Sequence, residues 1–93
     1  MPPDVNKDSF EACVATAKDW LEFLSSNGSI ENSQAETCIE LLEKTETASD
    51  GNQCKGVIRV TKSKTESIAS ESDVTQTVEM YVIETLERAE LFL

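Results

Sequence analysis

Apolar residues along this chain recur at helical spacing in successive stretches, each preceded by a residue suited to capping a helix. In the first, Phe10, Cys13, Val14, Ala17, Leu21 and Leu24 follow the i, i+3, i+4, i+7 template, which predicts a helix from about Ser9 to Ser26. Trp20 and Phe23 widen that stripe on one flank, so the helix should touch two neighbours. Asn27-Gly28 ends it, with Gly28 as the left-handed cap. A second helix starts at Ser29 or Ser33 and runs to about Ala48, burying Ile30, Ala35, Cys38, Leu41, Leu42 and Thr45. The short Asn27-Gly28-Ser29 link predicts an antiparallel hairpin.

Residues 52–70 carry two signals. Val57-Ile58-Arg59-Val60-Thr61 is rich in β-branched residues and follows Gly56, which suits a short strand. Cys54, Val57, Ile58, Thr61, Thr65 and Ile68 also make one helical stripe, and a lone strand has no second candidate to pair with. Helix is therefore the favoured expectation. After a turn at Ser70–Asp73, a last helix runs from Val74 nearly to Leu93, with Val74, Val78, Tyr81, Val82, Leu86, Ala89 and Leu93 on one broad face.

Three Asp-led pairs, Asp8/Glu11, Asp50/Gln53 and Asp73/Gln76, have capping-box spacing at the heads of these stretches, and Ser33/Glu36 makes a further one. The expected fold is all-α: a lead-in without order at residues 1–7, then one helical domain at 8–93. That domain is expected to be a small four-helix bundle of two antiparallel hairpins, the third segment being the one that could instead be a strand.

Composition narrows the function. The chain has 93 residues and a formal net charge of −10, from 18 acids against 8 bases. A field of that sign repels nucleic acid and anionic membranes and favours basic partners. Four of the bases, Lys55, Arg59, Lys62 and Lys64, lie within ten positions, where acids of neighbouring helices are expected to neutralise them. Cys13, Cys38 and Cys54 fall on apolar faces with no C-x-x-C, which reads as core thiols in a reducing, cytoplasmic setting. No apolar run is long enough to insert in a membrane.

The absence of His removes Ser-His and Cys-His nucleophile systems, and the chain has no phosphate-binding glycine loop. No enzyme activity, cofactor or metal is expected; bundle di-metal sites rely on Glu-x-x-His motifs that a His-free chain cannot supply. Interest moves to surfaces. Met80, Ile83 and Leu91 project from the main stripe of the last helix, with Glu87 among them, which suggests contact with another protein or a second copy of the chain. Glu36, Glu40 and Glu43 line one face of the second helix, where like charges oppose each other by roughly 0.2–0.5 kcal/mol per pair. That face is a candidate dock for a basic partner. Hydroxyls from Thr61 to Ser72, followed by Glu66, Glu71 and Asp73, fit either a polar connector or phosphorylation sites.

Two short stretches carry a family resemblance. Asn27 to Ser33 resembles the turn inside a tetratricopeptide-type helical hairpin, and Glu84 to Leu91 is similar to the last helix of microtubule-interacting-and-transport modules. The resemblance implies a peptide-docking helical module. The expected function is a non-enzymatic interaction module acting through the last helix. The alternative is an acidic inhibitor, immunity-type or nucleic-acid-mimicking, that blocks a basic surface.

Overall fold

Ser9 opens the first helix, α1 (Phe10–Ser26), in a computed structural model that describes residues 2–93. Its backbone is extended, and the Ala12 N–H donates to its Oγ at 3.1 Å. Asp8, one residue earlier, does not cap; its own N–H turns back to Asn6 Oδ1 at 3.0 Å. The helix ends in a complete Schellman arrangement. The Ser29 N–H donates to Leu24 O, the Gly28 N–H donates to Ser25 O, and Gly28 sits at φ 80°. That left-handed backbone is what the residue at position 28 must tolerate.

The second helix, α2 (Asn32–Thr47), starts at neither Ser29 nor Ser33. Glu31 is its cap, and the Glu31 N–H donates to Gln34 Oε1 at 3.4 Å. Burial explains the choice. Ile30 and Ala35 are both buried in the core, at the spacing of a hydrophobic staple across the helix start. A helix begun at Ser29 would wind Ile30 into its first turn, and one begun after Ser33 would leave Asn32 outside.

Residues 52–70 belong to a third helix, α3 (Gly51–Glu71), and no strand occurs among the described residues. Asp50 caps it through the Asn52 N–H at 2.9 Å rather than through a box with Gln53. Cys54, Ile58, Thr61, Thr65 and Ile68 all face inward. Propensity for strand, spanning about 1 kcal/mol between residue types, is outweighed by burial of this stripe.

The last helix, α4, comprises an α turn Thr75–Val78, a π-helical stretch Glu79–Ile83 and an α segment Glu84–Leu91. Asp73 lies one residue before its cap, Val74, and does not cap it. The Thr75 hydroxyl instead donates to Ala69 O at 2.7 Å, tying the helix start to the end of α3. In the π turn the Glu84 N–H donates to Glu79 O, five residues back.

Helix neighbours follow chain order and close on themselves: α1 packs on α2, α2 on α3, α3 on α4, and α4 on α1. The core between them holds Leu21, Leu42, Ile58, Val78, Val82 and Leu86, all below 2 % exposed. Ahead of α1, Asn6 contacts the helix. The Thr16 hydroxyl donates to Asn6 O at 2.9 Å and accepts from the Asn6 N–H at 3.1 Å. The longest principal extent, 35 Å, is close to the length of the longest helix, α3, of 21 residues.

Candidate functional site

The outer face of α4 is where the sequence placed a contact, and the structure divides its four residues. Met80 is 43 % exposed and Leu91 77 %, while Glu87 is also at the surface. Ile83 is not on that face: it is 9 % exposed and belongs to the core. The π turn is the cause. A turn that takes in an extra residue advances each one by a smaller angle, so Ile83 lags behind its α-helical position and comes round toward α3.

The same turn seats Tyr81 flat on Trp20 of α1, with ring centroids 4.1 Å apart and planes 5° from parallel. Phe23 meets Trp20 edge-on at 5.4 Å. The Trp20 indole N–H is buried and has no protein acceptor. At the end of α4, Phe92 is 43 % exposed, and the Arg88 guanidinium lies 5.5 Å from its ring centroid. Phe92 was not singled out from sequence; its place off the apolar stripe that runs on to Leu93 was the available signal.

Beside α4, Glu66, Glu79, Glu84 and Glu87 rim a groove against α3 of about 400 Å³, with Ala69 and Ile83 at its floor. Its charge is partly met from α3. Lys62 Nζ lies 3.9 Å from Glu87 Oε2, and Arg59 Nε is 3.0 Å from Glu90 Oε1. Two of the clustered bases are thus spent on α4, as the charge pattern predicted. Surface pairs of this kind are worth at most about 1 kcal/mol each.

Glu36, Glu40 and Glu43 lie together on a second groove, of about 510 Å³, between α1 and α2. Glu22 of α1 joins them, a residue that one helix's periodicity could not assign because its role depends on which helix packs alongside. Ala35 and Ile39 form the apolar floor. None of these four acids forms an ion pair among the described residues.

The three thiols are free and buried. Burial pushes the Cys38 thiol up to about 11, although Lys64 opposes the shift, and burial likewise raises Cys13. Protonated thiols this far inside behave as small apolar side chains rather than nucleophiles. No group of His, Cys, Asp and Glu among the described residues has the geometry to hold a metal ion, and no described helix is long and apolar enough to cross a membrane. Compared with known proteins, the chain is matched by no family model, no curated protein and no solved structure.

Proposed function

We propose that the chain is a non-enzymatic protein–protein interaction module, built as a four-helix bundle of two antiparallel hairpins, that binds another protein through the outer face of α4. The closed order of helix neighbours supports the bundle. Opposed numbering across the ion pairs supports antiparallel α3 and α4, with Arg59 against Glu90 and Lys62 against Glu87. Lys18 of α1 against Glu46 near the end of α2 supports the same for the first hairpin. A peptide-docking role of the kind implied by the tetratricopeptide-like turn fits this plan, as does a reducing, cytoplasmic setting for three unpaired core thiols.

The observation that carries the reading is the exposure of Met80 and Leu91 on a helix whose opposite side already supplies the core. Exposed apolar anchors on one helix, among acids that stay in water at the rim, are what a helix offers a partner's groove. Met80→Lys combined with Leu91→Lys tests it without touching the core. The partner captured by the wild-type chain from its native extract should be lost with helicity unchanged, and light scattering shows whether that partner is a second copy. Capture that survives both substitutions overturns the reading.

The acidic-inhibitor reading retains one specific support, the two glutamate-rimmed grooves. Salt separates the two. An electrostatic inhibitor loses most of its affinity between low and high ionic strength, whereas a contact anchored by Met80 and Leu91 barely responds.

A further inference from the structure

We infer that the groove between α1 and α2 is a second docking surface, distinct from the α4 face, and that its occupant is a cationic amphipathic helix of another protein. The groove joins two features that call for the same ligand. Its floor, Ala35 and Ile39, is apolar and continuous with the core. Its rim carries Glu22, Glu36, Glu40 and Glu43, and no Lys or Arg lines it. Lys18, the only base of α1, is held by Glu46 at 2.6 Å, toward the end of the groove, and only its longer-range field reaches Glu43.

Charge decides the occupant. A second copy of this chain would bring a further −10 to the contact, and nucleic acid or an anionic membrane would be repelled in the same way. Glu36, Glu40 and Glu43 are spaced at i, i+4 and i+7 and span about 10 Å of helix axis. A helix laid along the groove with Lys or Arg at that same period can meet all three, while one apolar residue between them reaches Ile39. The mutual repulsion of the three carboxylates in the free protein then falls on binding, which adds to the complementarity. The α3/α4 groove has an equal number of acids, but Lys62 already approaches Glu87 there.

The test uses the full chain and a synthetic 18-residue Lys/Leu amphipathic helix, followed by amide chemical-shift mapping and titration calorimetry. Shifts are expected along Glu36–Glu43 and around Glu22. Glu36→Gln with Glu40→Gln should weaken binding roughly five- to tenfold. Glu66→Gln with Glu84→Gln, an equal change of net charge in the other groove, should change it less than twofold, and Ile39→Ala should weaken it without altering its salt dependence. Equal weakening by both glutamine pairs, shifts confined to α3 and α4, or no binding would each overturn the inference. So would equal affinity for a Lys/Ser peptide of the same charge. The α4 reading survives any of these results, because Met80 and Leu91 are tested by their own substitutions.

Discussion

Thr16, Thr45, Thr61, Thr65 and Thr85 sit inside this core, and each hydroxyl is satisfied, four of them within their own helix turn. Thr45 donates to Leu42 O, Thr61 to Val57 O, Thr65 to Lys62 O and Thr85 to Tyr81 O, while Thr16 holds Asn6. An unpaired buried hydroxyl costs about 1–3 kcal/mol, so this local bonding is what lets threonine stand at apolar positions. Thr45, Thr61 and Thr65 could be placed in the core from sequence because they lie on stripes whose other members are apolar. Thr16, between Cys13 and Trp20, and Thr85, between Val82 and Ala89, stand at the same kind of spacing but were not singled out as core positions. The buried thiols give a testable consequence at the same scale. Folded Cys38 keeps its proton to about 11, whereas an unfolded cysteine releases it near its ordinary value of 9.0. Between those values the unfolded chain binds fewer protons, so stability is full below pH 9 and falls as pH rises, by about 2 to 3 kcal/mol at most. Urea titrations at pH 8, 9.5 and 11 should show that decline in the wild type and a shallower one in Cys38→Ala.

Helix boundaries depended on details that capping spacing alone does not settle. Asp8 and Asp73 have the spacing of a box, yet Ser9 and Val74 are the caps, and only Asp50 of the three aspartates caps its helix. Ser9 and Asp50 are extended where they cap, whereas Val74 is not and its helix start is held by Thr75 instead, so packing of the first turn sets where each helix begins. The periodicity template made a different error in α4. It assumes one angle per residue throughout, and the π turn breaks that assumption at Glu79–Ile83. Val78, just before the turn, is buried as its place on the stripe predicts, and Ile83 was placed on the wrong side. Substitution should show the difference. Ile83→Ala is expected to cost about 2 to 4 kcal/mol by opening a cavity, while Met80→Ala costs under about 0.5 kcal/mol, read from chemical-denaturation midpoints. Comparable losses at both positions would place Ile83 at the surface after all.

At the scale of the molecule, two opposing electrostatic effects can be ranked. The three surface ion pairs among the described residues favour the fold by at most about 1 kcal/mol each and weaken in salt. Against them stands the repulsion of 18 acids by one another with only 8 bases to offset it. Glu22, Glu36, Glu40 and Glu43 crowd one groove and Glu66, Glu79, Glu84 and Glu87 another, so repulsion is the larger effect. Raising NaCl from 10 mM to 0.5 M should therefore raise the melting temperature by about 3 to 6 °C, measured by circular dichroism. A fall would mean that the ion pairs dominate. Which acids share a groove depends on how the helices meet, so the sequence disclosed the acidic face of α2 but not its partner on α1.

The stack of Tyr81 on Trp20 makes the seam between the first and last helices optically visible. Trp20 is the only tryptophan in the chain and is 6 % exposed. Its emission in the folded state should be blue-shifted, with tyrosine excitation passing to it across the 4.1 Å contact. Peeling of α4 would redden that emission before the remaining helices come apart. Glu22 of the α1/α2 groove is two residues from Trp20 and Met80 is next to Tyr81, so a ligand at either surface should register in the emission of unlabelled protein.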